Sequence, residues 1–217
     1  YANVSTEKWR LGAWSDTDGW PETVGFFDSR LIAANTAKHP QTLWGSQSND
    51  LQNMRPDSWV SGAKTVEDDD ALSFTLSSRR IDPVVWLSDQ RSLVAGTAGA
   101  QWIISSAGEV LTPSDLSAKP HSATPAADIQ AAQSNQVALF LDRSKREVYE
   151  IGFSFDDQAY VTTLLTILAD HILRSPANQL EYQRLPHSIL WVPRDDGRCA
   201  TRSYNRQQDI LGWSQQI

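Results

Sequence analysis

An all-β fold, a β-propeller or part of one with about four to five blades, is what three observations in this chain predict. The first is a unit of short apolar strands and polar turns that returns along the chain, opening near Phe26, Val84, Val137 and Ser188. The second is period-two alternation within those units, seen most plainly in Leu72, Phe74 and Leu76 against Ser73 and Thr75. The third is nine Trp in 217 residues, because large flat side chains suit the contact layers between packed sheets. One such sheet cannot bury both faces alone, so the repetition predicts stacked neighbours within a single domain over residues 1–217.

Taken in order, Trp9–Trp14 reads as a short strand before a turn at Asp16–Gly19 that Pro21 ends. The fullest unit is Phe26–Ser46, with a turn carrying Asp28 and Arg30, a strand Leu31–Ala34, a Pro-containing loop and a strand at Leu43–Trp44. Residues 47–70 have no sustained periodicity and predict a long loop of functional or interface character. Ala71–Leu76 is a half-buried strand, and Val84–Leu87, Leu93–Thr97 and the strand containing Trp102 repeat the opening unit. Thr112–Gln136, rich in Ala, Ser, Pro and Gln, predicts a connector.

A third unit pairs Val137–Leu141 with Glu147–Ile151 through a hairpin turn. Over Tyr160–Leu173, the spacing of Leu164, Leu165, Leu168, His171 and Ile172 predicts one short helix, with Pro176 beyond its end. The fourth unit runs Ser188–Val192, a turn with Asp196-Gly197, Cys199–Tyr204 and a last strand reaching Trp213. The expected blade-packing residues are Phe27, Leu31, Trp44, Trp86, Leu93, Trp102, Phe140, Val148, Trp191 and Trp213.

Composition narrows the function. The net charge of −7 argues against wrapping a phosphate backbone, which draws its affinity from Lys and Arg. Tyr160–Leu173 is the longest mostly apolar run and is broken by polar residues, so no spanning helix and no membrane anchoring are expected. A start without Met, basic residues or an apolar core reads as a fragment boundary and not a signal peptide. Cys199 is the only cysteine, which fits a reducing compartment.

Chemistry has few footholds. Asp16-Thr17-Asp18-Gly19 resembles the start of a calcium loop but lacks the later acidic ligands, so a turn is favoured. SDTDGW also resembles part of the Asp-box of sialidase-like propellers, without its Thr and without repetition in other units. Glu67–Asp70 is expected as a solvated or salt-bridged loop in preference to an ion site. His39, His121, His171 and His187 show no zinc spacing, and His171 is expected as a structural histidine on the helix's apolar side. No nucleophile elbow, P-loop or dinucleotide fingerprint is present, so no catalytic residue, metal or cofactor is assigned.

An ordered series of segments carries a more specific likeness. It comprises residues 19–50 (GWPETVGFFDSRLIAANTAKHPQTLWGSQSND), 67–87, 92–102, 111–122, 138–160, 169–173 and 191–213. Over nearly its whole length the chain resembles the tail nozzle proteins of short-tailed bacteriophages, the tail tubular protein B type, and related prophage tail proteins. Ala34-Asn35 stands where that family has the Gly of a GGT-like strand end. The resemblance implies a propeller-domain fragment of a structural, non-enzymatic virion protein, assembled in the host cytoplasm. Its implied partners are further copies in a six-fold ring, the portal and its adaptor, and genomic DNA passing without specific binding. The competing expectations are a propeller that binds or cleaves glycans and a generic protein-interaction propeller. A glycan-directed propeller should expose Trp, Arg and carboxylates in a concavity, whereas a nozzle should bury Trp between blades.

Overall fold

The computed structural model describes residues 13–60, 63–108, 110–205 and 210–216. Its first sheet is built from β1 (Thr23–Phe27), β2 (Arg30–Ala34) and β3 (Thr42–Gly45). A separate hairpin of β4 (Ser58–Val60) and β5 (Ala63–Thr65) precedes β6 (Leu72–Thr75), which completes that sheet in the order β1-β2-β3-β6. The second sheet contains β7 (Val84–Asp89), β8 (Leu93–Thr97), β9 (Gln101–Ser105) and β10 (Ser117–Ser122). The third contains β11 (Ala132–Ser134), β12 (Val137–Leu141), β13 (Val148–Ser154) and β14 (Ala159–Leu164). The fourth contains β15 (Glu181–Gln183), β16 (Ile189–Pro193), β17 (Cys199–Asn205) and β18 (Ile210–Gln216). All pairings are antiparallel, so the described residues form an all-β chain of four four-stranded meanders.

Local chemistry explains the tight connections. Between Phe27 and Arg30 the two turn residues, Asp28 and Ser29, have φ of 47° and 59°. Two left-handed residues make the hairpin turn whose twist matches the strands it joins. Asp-Gly at 196–197 sits in the β16–β17 turn as the pattern predicts, with Gly197 at φ 78°.

The sheets stack through three apolar layers. Phe27, Ile32, Leu43 and Leu72 of the first sheet meet Leu87, Leu93, Trp102 and Ile104 of the second. The second sheet turns Trp86 and Val94 toward Ala138, Phe140, Ile151 and Tyr160 of the third. Leu139, Leu141 and Val148 of the third then face Leu190, Val192, Ala200 and Tyr204 of the fourth. β8 and β12 are buried along their entire length, as strands covered on both faces must be. First strands also adjoin in order: β1 lies against β7 and β11 against β15. Between them, the Gln130 amide donates to the Leu87 carbonyl at 2.9 Å.

Several expectations are corrected. The helix over residues 160–173 is replaced by strand β14 and a single 3-10 turn at Asp170–Leu173. Backbone pairing of β14 with β13 overrides the helical spacing, aided by β-branched Val161, Thr162 and Thr163. Leu168 is 94% exposed and His171 is also exposed, so neither belongs to an apolar helix face. The connector at 112–136 contains β10 and β11, the last strand of one sheet and the first of the next. The third and fourth sheets therefore begin at Ala132 and Glu181, ahead of Val137 and Ser188. The loop at 47–70 includes the β4–β5 hairpin, and the part of the expected Trp9–Trp14 strand before residue 13 lies outside the described residues.

Of the expected packing residues, Phe27, Trp86, Leu93, Trp102, Phe140, Val148 and Trp213 lie in or against the three layers. Leu31 and Trp44 do not: alternation from Ile32 and Leu43 turns them to the first sheet's opposite face, away from the second sheet. Trp191 is likewise turned to the outer face of the fourth sheet, where its indole N–H donates to Gln183 Oε1 at 3.0 Å.

Candidate functional site

The outer face of the first sheet carries an open, aromatic-lined cavity of about 800 Å³. Its floor is the outward row of β3 and β6, in which Trp44 alternates with Thr42 and lies beside Ser73 and Thr75. Thr42 Oγ1 and Thr75 Oγ1 share a hydrogen bond at 2.8 Å. Three connecting segments raise the walls.

The first wall is the turn at 13–20, bearing Trp14 and Trp20. Ser15 and Gly19 exchange backbone hydrogen bonds, and Ser15 Oγ accepts from the Asp18 amide at 3.1 Å. Gly19 is required here twice over: its φ is +90°, and a Cβ would stand 2.7 Å from the Ala37 nitrogen. The second wall is the β2–β3 loop with His39. Lys38 ties it to the first, its Nζ donating to Asp18 Oδ1 at 2.6 Å. The hydrogen bond from that ammonium holds the Asp18 carboxyl below its ordinary value, against the opposing effect of burial. Asp18 thus ties the turn to the β2–β3 loop.

The third wall is the loop between β3 and β6, contributing Met54 and Pro56. Arg30, fully buried, holds it in place. One guanidinium nitrogen donates to the carbonyls of Ser46 and Asp70, each at 2.7 Å, and the other to the Asp68 carbonyl at 2.7 Å. Burial pulls this guanidinium below its ordinary pKa, opposed by Asp69, Asp28 and Asp70. Asp70 is buried too, accepting from Gln47 Nε2 and from the Glu67 amide, both at 2.9 Å. The acidic run at 67–70 is therefore organised by backbone carbonyls around an arginine, while Glu67, Asp68 and Asp69 remain exposed. Among the described residues no group of three or more His, Cys, Asp or Glu is placed to hold a metal ion.

Within the cavity the aromatic groups are oriented. Trp14 and Trp44 meet edge to face, with centroids 6.1 Å apart and planes at 87°. His39 also meets Trp44 edge to face, with centroids 6.5 Å apart. Trp20 is 61% exposed, yet its indole N–H is pinned to Asp16 Oδ1 at 3.2 Å. Sequence reasoning expected Trp44 in blade packing and assigned no binding residue on this face. The available signal was Trp14 and Trp20 bracketing one turn, with hydroxyl residues alternating about Trp44 on its strand.

A smaller cavity of about 440 Å³ lies among loops of the first three sheets, between Glu22, Asn35, Pro83, Arg143 and Lys145. Elsewhere, burial supports structural roles. Tyr204 donates to Glu150 Oε2 at 2.5 Å between the third and fourth sheets. Arg202, stacked over Trp213 at 5.2 Å, donates to the Leu165 carbonyl. Tyr149 stacks on Phe140 and donates to Glu147 Oε2 at 2.7 Å.

Burial and the Glu147 carboxylate push the Tyr149 phenol up to about 12. Because the folded state favours the neutral phenol, its contribution to stability is complete below the usual tyrosine pKa of about 10. That contribution is lost as pH rises through the folded value. An absorbance titration of phenolate formation should show one tyrosine ionising late, and Tyr149→Phe should remove that late step while leaving the others.

Comparison with known proteins gives distant likenesses. No protein-family model matches the chain, and no curated protein matches it. Among solved structures, human WBSCR16 superposes with a TM-score of 0.49 at 12% identity, over 87% of this chain and 50% of that one. A luciferin-regenerating enzyme superposes with a TM-score of 0.40 at 13% identity, over 88% of this chain and 73% of that one. The chain spans half the length of the first of these, and at such scores neither likeness decides fold or activity.

Proposed function

We propose that the four sheets are consecutive blades of a β-propeller or of part of one. On this reading the chain is a structural component of the tail nozzle of a short-tailed phage or prophage. The observation that carries the first half is the stacking of four antiparallel meanders in chain order, with their first strands adjoining. The second half rests on the segment series in the sequence. The interior supports an architectural role, since Trp86, Trp102 and Phe140 are spent on the layers between sheets.

In this role the chain joins a homomeric, six-fold ring below the portal and adaptor, residing in the virion tail after assembly in the host cytoplasm. The ring continues the DNA channel and turns over no substrate. A net charge of −7 suits a wall past which DNA slides without adhering. The outer face of the first sheet, with Val24 58% and Phe26 62% exposed, offers apolar surface for a neighbour.

Mass spectrometry and immunogold labelling of purified short-tailed particles encoded by the same genome test the reading. The expected result is this chain at the head-proximal tail in about six copies per particle, a stoichiometry set by ring closure. Its absence from the particles, or a hydrolase activity abolished by replacing one carboxylate, would overturn the assignment. The aromatic cavity favours a second reading, recognition of a surface glycan, which is compatible with the first.

A further inference from the structure

We propose that the cavity on the outer face of the first sheet binds a neutral oligosaccharide. The first argument is a contrast between the β3–β6 part of the outer face and the packing faces, since the β1 part of that outer face, with Val24 and Phe26, is apolar. Where sheets of this protein receive one another, the facing side chains are mostly aliphatic or aromatic, such as Leu139, Leu141 and Val148 against Leu190 and Val192. On β3 and β6 of the outer face, every outward residue beside Trp44 ends in a hydroxyl: Thr42, Ser73 and Thr75. Aromatic planes interleaved with hydroxyls match a ligand that has C–H faces and a hydroxyl rim, and match poorly the aliphatic surface of another sheet.

The second argument is preorganisation. Trp20 exposes its ring while Asp16 fixes the indole by a hydrogen bond of 3.2 Å, so a stacking platform stands at the mouth at little cost in side-chain freedom. His39 is exposed and lines the same cavity. A pyranose stacked on Trp20 can direct its hydroxyls toward Ser73, Thr75 and His39. The third argument concerns charge. Asp16 and Asp18 stand on the wall near Trp20, and Lys38 on the neighbouring wall is engaged by Asp18 at 2.6 Å, while the exposed Arg55 belongs to the third wall, between Met54 and Pro56. A sugar stacked on Trp20 and bearing a carboxylate would meet like charge on that wall.

The inference does not depend on the nozzle reading, because a saccharide site is possible on any assembly state of the chain. The test uses the purified chain with maltotriose, cellotriose, triacetylchitotriose and, as the acidic comparator, sialyllactose. Tryptophan fluorescence and saturation-transfer NMR read the binding. At least one neutral trisaccharide should bind saturably with a millimolar or tighter dissociation constant, and sialyllactose about tenfold more weakly than it. Trp20→Ala and His39→Ala, both at exposed positions, should each weaken that ligand by about tenfold while the circular dichroism spectrum stays unchanged. Absence of saturable binding by every neutral trisaccharide would overturn the proposal. So would binding that survives both substitutions, or a cavity that takes up free indole and no sugar.

Discussion

Replacing Arg30 by Met should lower the stability of the chain by about 3–5 kcal/mol, the cost of leaving two buried carbonyls and one half-buried carbonyl without a donor. For a chain of this size that corresponds to a fall in melting temperature of roughly 6–20 °C. The carbonyls of Ser46, Asp68 and Asp70 all converge on the guanidinium at 2.7 Å, and the bonds to Ser46 and Asp70 are buried. Arg30→Lys should recover less than half of the loss, because one ammonium cannot serve the two separate nitrogen positions. Limited proteolysis should then cut first between residues 46 and 70, the segment the guanidinium holds. Calorimetry showing a loss below about 1 kcal/mol for the Met variant would refute the clamp, since that is the range of an ordinary surface change. Loosening this loop also withdraws Met54 and Pro56 from the cavity wall.

The second large effect concerns Gly96 and Trp86. Trp86 is fully buried at the layer between the second and third sheets, tilted against Phe140 with centroids 5.3 Å apart. A Cβ on Gly96 would fall directly on its indole, and Gly96 lies in β8, where both faces are covered. Gly96→Ala should therefore destabilise by about 1–3 kcal/mol through overpacking. Trp86→Ala alone should cost about 3–5 kcal/mol through the cavity it leaves. The diagnostic result is the double variant: with the indole gone, the added methyl enters empty space, and Gly96→Ala should cost almost nothing more. Additive losses in chemical denaturation would show that the two positions do not share the contact, because independent sites add to within about 0.5 kcal/mol.

Much of the architecture was legible from local pattern. Asp28 with the residues around it marks a hairpin, Asp196-Gly197 marks another, and the β3 and β8 segments announce themselves by composition. These signals are local in origin, set by φ preferences and by which side chains tolerate burial. The strands missed were β4, β5, β10, β11 and β15, and β14 was expected as a helix. β10 carries Lys119, Pro120 and His121, and β15 is three residues long, so their existence depends on an unpaired neighbouring edge being available and not on their own apolarity. The same cause removed the helix at 160–173, where β13 offered seven residues of edge to a segment with helical spacing.

The sequence by itself determined that this chain is all-β, that its sheets recur in order, and that Trp86, Trp102 and Phe140 are core residues. Those follow from periodicity and hydrophobicity, which act residue by residue along the strand. Only the tertiary structure decided which face Trp44 occupies, which carbonyls surround Arg30, and that Trp14, Trp20 and His39 gather over one row of hydroxyls. A shift of one residue in register reverses every side chain of a strand, and residues from four separate segments meet only after the loops close. Both depend on long-range pairing that no local pattern encodes.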